Sequence, residues 1–119
     1  MAAPISLGLL PHSVLLKHIV SFDRERNPTY QETTIHNVRI AATWGISNDQ
    51  AGMVRTDTLN LFIDCIYSKY ETTEGVETEA VIPVINDCIT WQNKDYTVKS
   101  VSPCYADSKA IHHYEVTLA

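Results

Sequence analysis

Apolar and polar residues alternate over several short segments of the chain, and this pattern indicates β-strands rather than helices. In the clearest segment, 56–67, Leu59, Leu61 and Ile63 alternate with mostly polar neighbours. Since successive side chains of a strand point to opposite faces, such a segment buries one face and exposes the other. Segment 13–22 would also suit a short helix, but its period-two residues favour a strand. The predicted strands are 13–22, 33–42, 56–67, 76–84, 85–91, 95–101 and 111–118.

Segments rich in Gly, Pro and polar residues separate these strands and predict turns or loops. Residues 1–12 contain two prolines and a glycine, so we expect an irregular N-terminal arm. The predicted loops are 23–32, 44–55, 68–75 and 103–110, and a hairpin turn is expected at 92–94.

The amino-acid composition supports the strand assignment. The chain contains 33 Val, Ile and Thr residues but 17 Ala and Leu residues, and β-branched side chains pack well on a pleated sheet. Its 119 residues are fewer than the roughly 150 that serve as a guide for one domain, so we expect a single domain, 1–119. Short strands at regular spacing predict an all-β fold, a small antiparallel β-barrel or sandwich of about 6–7 strands with long loops.

The charge balance argues against nucleic-acid binding. The chain has 14 Asp and Glu residues against 9 Lys and Arg residues, which gives a net charge of -5. Nonspecific binding to nucleic acid requires clustered cations. No apolar run approaches the ~20 residues that span a bilayer, and residues 1–10 lack the basic start of a secretory signal.

The cysteine and histidine residues show no metal-binding spacing. Cys65, Cys88 and Cys104 form no CxxC pair, so we expect reduced thiols, free of metal, in a cytosolic product. His112 and His113 are adjacent, but consecutive side chains on a strand point to opposite faces and would not share one ion. The sequence therefore predicts no metal site and no cofactor.

The sequence contains none of the common hydrolase, metalloprotease or nucleotide-binding motifs, and this predicts a protein that is not an enzyme. The other conspicuous feature is an acidic stretch, which is either a solvated surface or an electronegative lining that repels DNA. It comprises Glu71, Glu74, Glu77 and Glu79.

The last third of the chain carries a composite motif. It consists of a strand, a turn, an aromatic-x-Val-x-x-Val strand, a polar loop and a final His-His-Tyr-Glu-Val strand. The motif residues are Tyr96, Val98, Val101 and Pro103, followed by His112, His113, Tyr114, Glu115 and Val116. This motif resembles the end of small phage minor capsid, or head–tail connector, proteins, although Asp95 stands where those proteins usually have glycine. The resemblance is sharp over 81–118 and looser, but collinear, over the rest.

This resemblance implies a structural virion protein of the head-completion or stopper type, located in the virion and, during assembly, in the host cytoplasm. Its copies would form a hexameric or dodecameric ring that joins portal and adaptor proteins to a tail terminator or other tail proteins. DNA would pass through this ring without specific binding, and no membrane would be involved. A head-to-tail interface that closes into a ring needs no special residue chemistry.

The resemblance also implies a position for the element that closes the channel after DNA packaging, namely the loop before the central strand. The length of this loop and its two glycines allow more than one backbone path. A mobile surface loop, or a loop that docks on the neighbouring subunit, is the alternative. The predicted channel loop comprises Trp44, Gly45, Ile46, Ser47, Asn48, Asp49, Gln50, Ala51, Gly52, Met53, Val54 and Arg55.

Two other functions stay open. A tail terminator or tail-completion protein would share the size, the β content and the ring assembly. An OB-type β-barrel that binds a ligand or an oligonucleotide would interleave aromatic residues with Lys or Arg on one strand face. The nearest match to that pattern, 96–99, holds a single basic residue.

Overall fold

In a computed structural model of the chain, nearly all secondary structure is β-strand, and this confirms the predicted all-β fold class. The structure describes residues 7–49, 52–105 and 109–119, and for 43–49 and 52–57 it describes the main chain alone. The strands are β1 (His12–Phe22), β2 (Pro28–Asp49), β3 (Gly52–Asp64), β4 (Lys69–Thr72), β5 (Glu77–Thr78), β6 (Cys88–Trp91), β7 (Lys94–Cys104) and β8 (His113–Leu118).

The described strands form one antiparallel sheet in the order β1-β6-β7-β8-β3-β2-β4-β5. An additional pairing joins β1 to β2, so that β1, β6, β7, β8, β3 and β2 close on themselves as an irregular barrel. The contact between β1 and β6 is short and begins at Leu15 and ends at Lys17. Where β3 ends, β4 continues along the same edge of β2, and β5 pairs with β4.

One hydrophobic core fills the closed sheet, and each of its six strands contributes to it. In β3, Leu61 and Ile63 are fully buried, as the alternating pattern predicted. Full burial of such a side chain contributes roughly 1.5–3 kcal/mol, so this shared core stabilises the closure. The core residues are Val14, Leu16, Ile35, Val38, Ile40, Leu61, Ile63, Tyr70, Ile89, Val98, Val116 and Leu118.

Asn37 interrupts the alternation of β2 with a β-bulge. Its φ of 58° lies in the left-handed region, and the pairing of β2 with β1 shifts register there. One extra residue reverses which side chains face inward, so Ile35 is buried before the bulge and Val38 after it. Regular alternation along the predicted strand 33–42 would place His36 and Val38 on one face, and the bulge overturns that expectation. The Asn37 side-chain amide donates a hydrogen bond to the Tyr67 carbonyl at 3.0 Å.

The segment predicted as a long loop, 44–55, is instead the distal part of a β-hairpin. The strands β2 and β3 pair without a break up to Asp49 and Gly52, and residues 50–51 lie outside the described residues. The loop prediction is wrong because it relied on the absence of apolar alternation. A two-stranded ribbon is held by main-chain hydrogen bonds and has no core of its own that would impose such a pattern.

Several further boundaries differ from the predictions, among them those of 56–67 and 85–91, where the strands are Gly52–Asp64 and Cys88–Trp91. Strand β2 begins inside the predicted loop 23–32, and β4 lies inside the predicted loop 68–75. Within 76–84 only the two residues of β5 form a strand, and at the end of this segment the Asp87 side chain accepts the main-chain N–H of Val84. The turn at 92–94 and the final strand are confirmed. Among the described residues, no helix has the length and apolar character needed to cross a membrane.

Candidate functional site

Beyond the closed sheet, β2 and β3 continue as a two-stranded extension, which we name the β2–β3 ribbon (43–49 and 52–58). The pairing of β3 with β8 ends at Leu59, whereas β2 and β3 pair over seven more residue pairs, up to Asp49 and Gly52. At about 3.4 Å per residue, this carries the ribbon roughly 20 Å past the sheet. In the described part of the chain, its outer edges pair with no other strand.

Three of the four predicted acidic residues, Glu71, Glu74 and Glu77, lie on a second hairpin, which we name the acidic hairpin and which consists of β4, β5 and their connecting turn; Glu79 follows directly after it. Gly75, with a φ of 81°, forms the turn. Glu71 and Glu77 face each other across the hairpin, and like charges in such a pair repel. The Glu71 carboxylate lies 2.7 Å from Nε2 of His36, and the other ring nitrogen lies 2.9 Å from the Ser13 hydroxyl. This polar chain ties the acidic hairpin to β2 and β1.

The ribbon and the acidic hairpin are separate surfaces. The acidic hairpin pairs with β2 up to His36, whereas the ribbon begins at Thr43, which is roughly 24 Å further along the strand. All the predicted channel residues except 50–51 lie in the ribbon. The sequence prediction assigned both groups to one channel, and the fold brings each group together but does not bring the two groups to the same place.

The loop before β6 is fixed by a buried carboxylate that the sequence analysis missed. Asp87 is 2% exposed, and its Oδ2 accepts hydrogen bonds from Nδ1 of His18 at 2.8 Å and from the Val84 N–H at 3.0 Å. This loop leaves Val84 and Ile85 exposed. An acidic residue inside an otherwise apolar stretch was the available signal. The loop and β7 line an open apolar groove of about 550 Å³, formed by Ile82, Pro83, Val84, Ile85 and Val101.

The end of β7 and the start of β8 bring three potential metal ligands together. Cys104 faces His113 across the two strands, and Glu115 follows on the same side of β8. One ligand atom from each residue lies within 4.8 Å of the others. Burial raises the pKa of the Cys104 thiol, and the Glu115 carboxylate raises it further.

The adjacent histidines do not separate to opposite faces as predicted. Strand β8 begins at His113, so His112 lies outside the strand and the alternation rule does not apply to it. The two rings meet edge to face with centroids 5.1 Å apart, and their Nδ1 atoms are 2.9 Å apart. Each ring is therefore positioned by the other.

The other two cysteines are also free thiols. Burial raises the pKa of Cys65, and the neighbouring Asp64 carboxylate adds to the effect. Burial raises the pKa of Cys88 as well, with a further contribution from Asp95. Since the thiolate is the reactive form, these environments reduce thiol reactivity at neutral pH.

A small β-barrel with an extended two-stranded ribbon and an exposed apolar groove has the form of an assembly protein, because strand edges and apolar patches are surfaces that partners cover. The chain belongs to the minor capsid protein family, whose model matches residues 6–118. A comparison with curated proteins found no match. Family membership assigns the chain a structural role in the phage virion and agrees with the resemblance noted in its C-terminal third.

Proposed function

We propose that this minor capsid protein forms a ring in the head–tail connector and joins the portal and adaptor proteins to the tail. The observation that carries the proposal is the β2–β3 ribbon, which extends from the barrel of a chain that belongs to a capsid protein family. The described strands of the ribbon pair only with each other beyond Leu59, so the ribbon adds little to the stability of the barrel. A projection of this length is better suited to contacts between subunits.

Ring formation follows from head-to-tail contacts between identical barrels. Within the described residues, the outer edges of the ribbon pair with no other strand, and such strand edges are buried when another chain covers them or adds a strand. In this proposal the ribbon of one subunit reaches its neighbour or the ring axis. A hexamer or dodecamer closes when the rotation between neighbours divides a full turn evenly.

The ribbon also provides a means of closing the channel. In this proposal, the ribbons of a ring converge on the axis after DNA packaging and obstruct the passage. Because Gly45 and Gly52 lie in paired strands, opening requires a bend of the whole ribbon at its base rather than refolding of a loop. The bend would lie near Thr43, where the support of the sheet ends.

The acidic hairpin has a different role in this proposal. The exposed carboxylates of Glu74 and Glu77, together with that of Glu79 directly after the hairpin, repel the phosphate backbone and prevent DNA from adhering to the ring as it passes. The overall charge of -5 has the same sign, and nonspecific DNA binding requires the opposite one. This surface needs only to face the DNA and need not lie at the narrowest point.

A shortened ribbon tests the proposal. Residues 46–55 are replaced by an Asn-Gly turn that joins Gly45 to Thr56, which pair with each other and therefore suit a two-residue hairpin turn. The matched control shortens the β1–β2 turn by placing Asn-Gly between Phe22 and Pro28, which are also paired.

Both variants should keep the barrel, as measured by circular dichroism and thermal unfolding. The ribbon variant should fail to enter connectors, or should enter them and let packaged heads lose DNA before tail joining, whereas the control should behave as the parent does. Normal assembly and normal DNA retention by the ribbon variant would contradict the proposal. Recovery of the protein on free tails, and not on heads, would instead indicate a tail terminator or tail-completion protein.

A further inference from the structure

A cluster of three side chains at one end of the β7–β8 pair has the chemistry of a metal site. Cys104 and His113 are directly opposite each other in the antiparallel ladder, where facing Cβ atoms lie about 5 Å apart. Glu115 is two residues beyond His113, so both project from the same face of β8. The register of the sheet therefore places a thiol, an imidazole and a carboxylate side by side.

The spacing of the donor atoms fits one small cation. The sulfur of Cys104, a ring nitrogen of His113 and a carboxylate oxygen of Glu115 all lie within 4.8 Å of one another. Nε2 of His113 is 3.3 Å from Oε1 of Glu115. Two ligands of a tetrahedral zinc ion, each roughly 2.0–2.1 Å from the metal, are about 3.3 Å apart.

We propose that Cys104, His113 and Glu115 bind one divalent transition-metal ion of the zinc class. Sulfur, imidazole and carboxylate are the ligand types that zinc combines in proteins, and three protein ligands leave a fourth position for water. The proposal replaces the sequence-based expectation of a metal-free Cys104. It goes beyond the connector role and does not depend on it.

His112 acts as a positioning residue for this site. Its Nδ1 lies 2.9 Å from Nδ1 of His113, so one of the two nitrogens donates a hydrogen and the other accepts it. When Nδ1 of His113 is the donor and its ring is neutral, Nε2 presents a lone pair towards Glu115. A cation between that lone pair and the carboxylate satisfies both, and the contact between the rings fixes the orientation of the ligand.

The bound ion would cross-link β7 and β8. Cys104 is the last residue of β7 and His113 is the first residue of β8, so the ion joins the strands where the connecting segment leaves the sheet. The site needs no residue from another subunit. Metal binding should therefore stabilise the isolated chain as well as the assembled one.

Cobalt(II) is the probe, because Co²⁺ occupies zinc sites and its bond to a thiolate absorbs in the near ultraviolet. Metal-stripped, reduced full-length protein is titrated with Co²⁺ alone. We expect one saturating equivalent with a thiolate-to-cobalt band, displacement of that band by Zn²⁺, and a higher melting temperature with either ion.

The variants C104S and E115Q identify the site, and C65S and C88S are matched controls. C104S should lose the thiolate band, E115Q should lose saturable binding at the parent's cobalt concentrations, and both cysteine controls should keep the parent behaviour. H112N should bind roughly 10–100-fold more weakly, the usual effect of removing a group that orients a ligand. Glu115 is an exposed side chain, so E115Q provides the test even if C104S fails to fold. A thiolate band retained in C104S, or no saturable binding by the parent protein, would overturn the proposal.

Discussion

The buried carboxylate of Asp87 accepts a hydrogen bond at 2.8 Å from Nδ1 of His18, a residue 69 positions earlier in the chain. The pair joins the loop before β6 to the middle of β1, beside the short pairing of β1 with β6. Asp87 also accepts the Val84 N–H, so one side chain fixes both the loop and the strand. The barrel is thus stabilised at the short pairing of β1 with β6 by a polar contact as well as by the core.

Replacing this carboxylate should weaken the fold. Asp87→Ala leaves the Val84 N–H and the His18 ring without their acceptor, and we expect a loss of about 2–4 kcal/mol in the free energy of unfolding. Urea unfolding followed by tryptophan fluorescence measures this loss. Asp95→Ala is the matched control, since Asp95 is 62% exposed, its contact with Lys17 is 3.9 Å long and the hydrogen bond that it accepts from the Thr90 hydroxyl is exposed, so its loss should cost less than about 1 kcal/mol. Equal losses for the two variants would show that Asp87 has no special role.

The β6–β7 turn offers a stabilising substitution. Gln92 and Asn93 have φ values of 51° and 62°, as in the two-residue turn that favours Asn-Gly. Asn93→Gly removes the cost of a left-handed side-chain residue, and we expect a gain of about 0.5–1 kcal/mol, seen as a melting temperature higher by about 3 °C. Asn93→Ala at the same position should lower the melting temperature. A destabilised Asn93→Gly variant would mean that the asparagine side chain, and not the backbone conformation, matters here.

Alkaline pH should destabilise the protein partly through Tyr70. Burial raises the pKa of Tyr70 from 10.0 to about 12, with smaller contributions from Cys65 and Tyr114. Between these two values the unfolded chain releases the phenolic proton while the folded chain retains it, so stability is complete below pH 10 and falls as the pH rises towards 12. We expect Tyr70 to account for roughly 1–2 kcal/mol of this fall, after allowance for solvent screening.

Urea unfolding at a series of pH values, for the parent and for Tyr70→Phe, measures the contribution of this residue. The phenylalanine variant should show a flatter dependence above pH 10, whereas the cysteines, whose pKa values are also raised, should affect the two proteins alike. Parallel curves for the two proteins would exclude Tyr70 as a source of the loss.

The isolated protein should be monomeric or weakly associated and should form a ring only on the portal–adaptor complex. Its exposed apolar groove, which includes Val84 and Ile85, is small compared with the interface of an obligate oligomer. Sedimentation velocity at low micromolar concentration should therefore show a small species. A tight ring at that concentration would contradict this prediction.

The sequence predicted the strands whose side chains face the core. It did not predict features that depend on main-chain pairing or on the backbone conformation of one residue. Leu61 and Ile63 follow a period-two pattern because burial requires it, and a strand was predicted correctly at these residues, although not its two ends. The ribbon has no core to face, so 44–55 carries no such pattern. Asn37 reverses the alternation through its left-handed backbone conformation, and no pattern in the neighbouring residues predicts this reversal.

The candidate sites were predictable to different extents. The four acidic residues form a group in the sequence, and the fold keeps three of them on one hairpin, with Glu79 directly after it. Cys104 and His113 become neighbours only through the register of β7 and β8. A search for ligands at fixed spacing therefore could not find them.

The closure of the barrel has a consequence for how the protein is made. Leu16 on β1 pairs with Ile89 on β6, and Leu61 on β3 pairs with Val116 on β8. During synthesis, β1 and β3 therefore leave the ribosome before these partner strands exist. Adjacent hairpins form within roughly 1–10 μs, but closing the barrel requires the last strand to leave the ribosome. Until then the free edges of β1 and β3 can pair with other nascent chains. The yield of folded protein therefore depends on β8 pairing with β3 and β7 before such contacts between chains form.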